Sequence, residues 1–262
     1  MEDEKLEKYE QNPYSDLYWN LPEQKQGVFN VIGGHGGSFR APLKVAERLT
    51  ADYPLKTVNL VLPEVLRGKV PDLPNFVFLP ATGAGSFAEG EGILRVMEGA
   101  DYNLLVGDLS KNSITVRAVA GACESSEKPL LITRDAVDLI AENGSDEVLM
   151  RENVTIMGSL AQFQKLLRAI YYPKMLTLSQ SLVQVVEILH KLTISYPAEV
   201  VTFYNGLILA AKDGEVGAVP LEKTGYSVLT LWGGELAGRI GVMQMFNPGK
   251  PYEATVTGLF RG

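Results

Sequence analysis

Trp232-Gly233-Gly234-Glu235-Leu236-Ala237-Gly238, WGGELAG, is the stretch on which the reading of this chain turns. Before it lies an apolar run, Ser227-Val228-Leu229-Thr230-Leu231, readable as strand or loop. After it, Leu236 to Phe246 places apolar residues at helical spacing. A glycine pair at a helix start aims the first backbone N–H groups of the helix at whatever lies in front of them. Those donors have no acceptor inside the helix, and the helix dipole favours negative charge there. Gly233 and Gly234 carry no side chain to hold a phosphate away from the backbone. The same residues also fit a tight turn into a packed helix, so the rest of the chain must decide.

Working outward, short apolar runs alternate with helical patterns. The first run, Val28–Ile32, enters the glycine loop Gly33-Gly34-His35-Gly36-Gly37-Ser38, followed by a helix over Ala41–Leu49 with Leu43, Val45 and Ala46 on its apolar side. This is neither G-x-G-x-x-G nor a Walker sequence. Further strands are expected at Thr57–Leu62, Phe76–Leu79, Asn103–Val106, Leu130–Thr133 and Val154–Met157. Helices are expected at Ser86–Met97, Ser113–Glu124, Ala136–Ala141, Leu160–Ala169 and Leu178–Leu192, with a last one starting at Pro251. Near the end the texture changes. Val200–Phe203, Leu207–Ala210 and Val216–Val219 are separated by Asn205-Gly206 and Asp213-Gly214, the dipeptides of tight hairpins. Such alternation predicts an α/β fold, a three-layer sandwich with a mostly parallel sheet and closing antiparallel hairpins. Residues 27–262 read as one domain, and residues 1–26 as a tail or surface helix docked by Tyr14, Tyr18 and Trp19. In such sheets ligands lie beyond the carboxyl ends of the strands. The loops Gly33–Ser38, Gly107–Asn112, Thr133–Asp135 and Trp232–Gly234 are expected to converge there.

Composition narrows the function. The chain has 262 residues, 46% hydrophobic and 21% charged, which is ordinary for a water-exposed globular chain. A net charge of −7 argues against nucleic acid or an anionic membrane as partner. A phosphate site must then use local donors. The single cysteine, Cys123, sits in Val119-Ala120-Gly121-Ala122 and reads as a small buried thiol. The charged start MEDEKLEKYEQ is no signal peptide and no apolar run is long enough to span a bilayer, so a cytoplasmic protein is expected.

Several motifs resemble the NAD(P)H-hydrate dehydratase family of the ribokinase-like superfamily, across roughly residues 27–260. Val200–Gly214, VVTFYNGLILAAKDG, lines up without a gap against V-V-L-K-G-x-G-T-V-I-A-x-x-D-G. Gly233 and Leu236-Ala237-Gly238 match the ends of G-S-G-D-x-L-A-G. Pro251-Tyr252-Glu253-Ala254 resembles the P-x-E-A helix start that follows it. Gly33–Leu43 looks like the early glycine loop with its A-P-L helix, Gly107 stands at the start of the G-P-G-L-G loop, and Ile132–Ile140 looks like L-D-A-D-A-L-N-L-L. The resemblance implies a ribokinase-like fold and a repair reaction: a hydroxyl of hydrated NADH or NADPH is phosphorylated from ADP or ATP with Mg2+, and phosphate is then eliminated. It also implies nucleotide contacts at Gly233, Gly234 and the Asn205-Gly206 turn. Substrate contacts are implied at Gly33, Gly34, Gly36, Gly37, Ser38, Gly107, Lys111, Asn112 and Asp135.

The sequence departs from that pattern where the chemistry lies. The signature's aspartate position holds Gly234, its serine position Trp232 and its first glycine Leu231. Phe203 and Tyr204 stand for the lysine and glycine of the hairpin motif. The T-P-H-P-x-E segment falls near Thr155–Ser159 without its histidine, and Thr133 replaces the first acid of L-D-A-D while Asp135 keeps the second. Three residues are candidates for a relocated acid or base. Glu235 is one residue late, which turns a side chain by about 100° on a helix, and a first-turn carboxylate also serves the dipole. Asp108 is either a turn former or a metal or hydroxyl ligand. His35 is the better placed of the two histidines; His190, in the amphipathic helix, is given no role. Asp135 also fits a helix N-cap. Lys111 and Arg134 are either solvated or phosphate partners. No set of metal ligands stands out; Mg2+ with the nucleotide is implied by the resemblance alone. Three functions are then open: a divergent dehydratase or small-molecule kinase with a relocated base, an inactive nucleotide- or dinucleotide-binding protein, or a subunit kept for assembly, with homo-oligomers among its options.

Overall fold

Strands buried on both faces need helices on both faces, and the chain provides them in alternation. The computed structural model describes residues 5–70, 75–144, 146–177 and 179–260. In chain order these form β1 (Leu6–Lys8), β2 (Gln26–Gly33), α1 (Arg40–Asp52), β3 (Leu55–Pro63), β4 (Phe76–Leu79), α2 (Gly90–Glu98) and β5 (Tyr102–Gly107). There follow α3 (Ser113–Ser125), β6 (Leu130–Thr133), α4 (Asp135–Asn143), β7 (Val154–Met157), α5 (Leu160–Ala169), α6 (Leu182–Ser195) and β8 (Glu199–Tyr204). The chain closes with β9 (Leu207–Lys212), β10 (Glu215–Pro220), α7 (Val228–Leu231), α8 (Glu235–Phe246) and α9 (Pro251–Leu259).

Among the described residues one ten-stranded sheet runs in the order β1-β10-β9-β8-β7-β6-β5-β2-β3-β4. From β4 to β8 neighbouring strands are parallel, and β8-β9 and β9-β10 are antiparallel. β5 is buried at every position. Its Leu104 and Val106 pack with α1, α8 and α9, while Leu105 faces the layer built by α2 to α6. This is the expected three-layer α/β sandwich. Two of its buried polar residues tie the sheet to a helix end: Asn30 and Asn103 donate to the last carbonyls of α2, Val96 at 2.9 Å and Met97 at 3.1 Å.

Four segments differ from the sequence expectation. The stretch taken as tail or surface helix contains β1, which pairs in parallel with β10 and leads into a buried Tyr9, while Tyr18 is exposed instead of docked. Ser227–Leu231 is neither strand nor loop: Ser227 and Thr230 form a capping box that starts the single turn α7. α2 starts at Gly90, not Ser86, because Ser86 and Phe87 are buried in the preceding loop, where the Ser86 carbonyl accepts from Thr82 N–H at 2.7 Å. α6 starts at Leu182 with Ser181 as N-cap, so residues 179–181 lie outside it. Residue 178, where that helix was expected to begin, lies outside the described residues.

Candidate active site

The carboxyl ends of β2, β5, β6 and β7 meet the start of α8 at one rim. Gly34 N–H donates to the Gly107 carbonyl at 2.8 Å, tying the first glycine loop to the loop after β5. Asp135, the first residue of α4, accepts from Asp108 N–H at 2.8 Å and Leu109 N–H at 2.9 Å. That grip explains the glycine at 107. Its φ is +98°, and a Cβ there would overlap the Asp135 carboxylate. Asp135 is therefore not the N-cap that its position suggested; it is the clamp that fixes the neighbouring loop.

Arg134 crosses the mouth. Its guanidinium donates to Asp108 Oδ1 at 2.8 Å and to the Trp232 carbonyl at 2.7 Å. It is half-buried, not the exposed cation that a loop position suggests. Its Nε–H is buried and, among the described residues, has no acceptor. Arg134 and Asp108 are two of the five described non-glycine residues with positive φ, at 58° and 55°. Such backbone costs about 1–3 kcal/mol per residue and collects at functional sites. Gln162 Nε2 holds the Arg134 carbonyl from the far side. Around this pair is a cavity of about 370 Å3 lined by Asp108, Arg134, Asp135, Asp138, Ser159, Gln162 and Trp232. Burial pushes the Asp138 carboxyl up, but hydrogen bonds from Lys165, at 2.6 Å, and Gln162 outweigh it and leave the pKa below its ordinary value. Asp138 is thus an ionised wall of the cavity.

α8 presents its amino end to the same rim. Gly233 N–H is spent on the Thr230 carbonyl at 2.9 Å, which corrects the expectation that both glycines offer free amides. The first intrahelical bond is Gly238 N–H to Gly234 O at 2.9 Å. The N–H groups of Gly234, Glu235, Leu236 and Ala237 precede it and have no acceptor within the helix. Gly234 has φ +96°, and a Cβ there would lie 3.0 Å from Val106 Cγ1 and Val45 Cγ2 and 3.9 Å from Arg134 Cδ. The guanidinium-bearing side chain therefore runs along the helix start.

Other sequence candidates are placed differently. Glu235 pairs with Lys44 Nζ at 2.6 Å and lines a separate cavity of about 320 Å3 with Arg48, Tyr226 and Arg239. His35 folds back on its own loop, its Nδ1 accepting from Gly37 N–H at 3.1 Å. The amides of that loop are committed: His35 and Ser38 bond each other's carbonyls, and Gly36 N–H goes to Gly85 O at 2.8 Å. Asn112 caps α3 by accepting from Ile114 and Thr115 N–H. Lys111 stands at the rim, 3.7 Å from Asp138 and 3.8 Å from Glu142. Asn205 and Gly206 form an exposed turn with φ of 46° and 83°, outside the lining of the cavity. His190 Nδ1 meets the Gly214 carbonyl. Cys123 is buried and its thiol pKa is pushed up to about 12 by that burial, which makes it a poor nucleophile. Sequence reasoning left Ser159, Gln162 and Asp138 out of the site. The Ser-x-x-Gln capping box directly after β7 was the available signal for the first two.

A protein with this strand order, and with a helix start facing a rim of strand ends, can be compared with known structures. The chain matches a ribokinase-like superfamily protein from Enterococcus faecalis at a TM-score of 0.70 and 15% identity, over 98% of this chain and 85% of the other. This is a ribokinase-like fold. An ADP/ATP-dependent NAD(P)H-hydrate dehydratase from Bacillus subtilis, co-crystallised with ATP and Mg2+, shares the ribokinase-like architecture at a TM-score of 0.59 and 14% identity, over 92% and 82% of the two chains. A Bacillus subtilis pyridoxal kinase in an ADP complex follows at 0.52 and 11%, over 89% of each chain. The fold implied by the sequence motifs is thus the fold observed. No protein-family profile matches the chain, and no curated protein sequence does. Among the described residues no helix is long and apolar enough to cross a membrane.

Proposed function

We propose that this ribokinase-like chain binds a phosphoryl-bearing nucleotide at the carboxyl ends of its strands, as a divergent relative of the NAD(P)H-hydrate dehydratases that keeps the ligand and lacks the family's base. The observation that carries the reading is the pairing of the α8 start with Arg134. First-turn amides and a guanidinium with a spare Nε–H are complementary to phosphoryl oxygens. The carboxylates nearby are engaged: Asp108 by Arg134, Asp135 by two amides, Glu235 by Lys44. A general base must be free to take a proton. Among the described residues no group of three or more His, Cys, Asp or Glu side chains could hold a metal. Mg2+ would therefore be carried mainly by the phosphates of ADP or ATP, with Asp108 the acid nearest the guanidinium that meets them.

One observation favours a second reading, in which the chain is a dehydratase or kinase. Asp108 is released as a base if Arg134 turns from it to the phosphoryl group. The two readings separate on turnover. Thermal unfolding with ADP, ATP and NADPH, each with and without Mg2+, should show stabilisation by at least one nucleotide. A ligand at 100 times its dissociation constant adds about 2.7 kcal/mol. Arg134→Ala should abolish the shift and Glu235→Gln should leave it. Turnover of hydrated NADPH that vanishes in Asp108→Asn selects the enzyme. No shift with any of these nucleotides removes the proposal.

A further inference from the structure

At the opposite end of the sheet lies a polar cavity that the nucleotide reading does not use. β5 runs from Tyr102 here to Gly107 at the mouth, so the two ends stand about 17 Å apart at ~3.3 Å per residue. The cavity holds about 420 Å3 and is lined by Thr155, Glu199, Lys212 and Gln244, with Pro248 and Pro251 among its apolar walls. Glu199 is 1% exposed. Its Oε2 accepts from Thr155 Oγ1 at 3.0 Å, Thr255 Oγ1 at 2.9 Å and Gln244 Nε2 at 2.7 Å. Its Oε1 is buried and, among the described residues, has no partner. Beside it Lys212, 7% exposed, donates to the carbonyls of Pro197 at 2.9 Å and Glu152 at 3.1 Å. An ammonium has three donors, so one remains.

A buried carboxylate oxygen without a donor is costly unless something supplies one. The cavity therefore asks for a donor at Glu199 and an acceptor at Lys212, with an apolar body against the prolines. We propose that this cavity binds a small α-amino acid, its ammonium on Glu199 Oε1 and its carboxylate on Lys212. A zwitterion matches one buried charge of each sign and leaves the net charge of the site unchanged. A bare metal ion does not fit: among the described residues no cluster of three or more His, Cys, Asp or Glu side chains faces such an ion. The volume lies in the range that small-molecule sites occupy. The site stands whether or not a nucleotide binds at the mouth.

The test is a titration of the isotopically labelled full chain, at about pH 8 so that the carboxyl is ionised, with glycine, L-alanine, L-valine, L-leucine and L-phenylalanine. Propionate and n-propylammonium serve as half-ligands. Saturable shifts of the Thr155, Lys212 and Gln244 amide resonances with at least one amino acid are expected. The same titration of Glu199→Gln and of Lys212→Met should weaken binding at least about tenfold in each, the loss of one charge-assisted hydrogen bond. The wild-type shifts stand on their own if a variant does not fold. The proposal is overturned if no amino acid gives saturable shifts at these residues, if folded variants bind as the wild type does, or if either half-ligand binds as tightly as the zwitterions.

Discussion

Gly234 shows how a single residue can close a route that an alignment leaves open. The sequence resemblance aligns it with the aspartate of the related signature, and the simplest expectation from that alignment is that Gly234→Asp would restore a base. The backbone argues otherwise. At φ +96° a side chain is strained by about 1–2 kcal/mol. Its Cβ would sit 3.0 Å from two valine methyls in a packed layer, an overpacking worth about 1–3 kcal/mol. Gly234→Asp should therefore lower the stability by about 2–5 kcal/mol, read as a lower urea midpoint, and should yield no turnover of hydrated NADPH. A variant as stable as the parent would mean that the helix start is looser than its contacts imply. The same scale explains why the role of Arg134 was not legible in the sequence. It depends on Asp108, 26 residues earlier, and on the Trp232 carbonyl, 98 residues later. No local pattern separates such an arginine from a solvated one. Asp135 was ambiguous for a related reason: an acid at a helix start looks the same whether it caps its own helix or grips the next loop.

Elements were legible in proportion to how locally they are encoded. β4, β6, β7 and α5 occupy the residues that the apolar pattern marked, because punctuation and periodicity bound them. The two hairpins follow from Asn205-Gly206 and Asp213-Gly214, whose four positive φ angles are the ones that tight hairpin turns require. β1 was missed because Leu6-Glu7-Lys8 offers one apolar residue, and only pairing with β10 makes it a strand. α7 was missed because a Ser-x-x-Thr box is a weaker start signal than Ser-x-x-Glu. β1 covers the open edge of β10, with Tyr9 N–H bonded to Ala218 O at 2.8 Å and the Tyr9 ring buried. Deleting residues 1–10 should cost about 2–3 kcal/mol, chiefly the buried tyrosine and lost edge pairing. It should also expose an unpaired strand that recruits a second chain. A lower melting temperature together with concentration-dependent mass in size-exclusion light scattering is the expected result; an unchanged melting temperature in a monomer would show that β1 protects nothing.

At the scale of the whole molecule, the sheet carries a polar cavity at each end, and α8 starts beside one and lines the other with Gln244. Its first turn faces Arg134 at the mouth, and its Gln244 sits in the network around Glu199. That network ties global stability to pH. Burial lifts the Glu199 carboxyl from its ordinary 4.5 to about 7, against the opposing pull of Thr255, Thr155, Lys212 and Gln244. A carboxyl raised in this way holds more protons folded than unfolded between those two values. Its contribution to stability is complete below about 4.5 and is lost as pH rises through about 7, a fall of about 3 kcal/mol across the window. Glu199→Gln keeps the shape and removes the titration. The difference in unfolding free energy between variant and wild type, measured in urea from about pH 4 to about pH 8, should therefore move in favour of the variant by about 3 kcal/mol as pH rises. Taking the difference cancels the carboxylates that both proteins share. The greater part of the change should fall between pH 5 and 7, centred above the range of exposed acids. A difference that stays flat with pH would mean that Glu199 has the same pKa folded and unfolded, with Lys212 and the hydroxyls around it fully offsetting its burial.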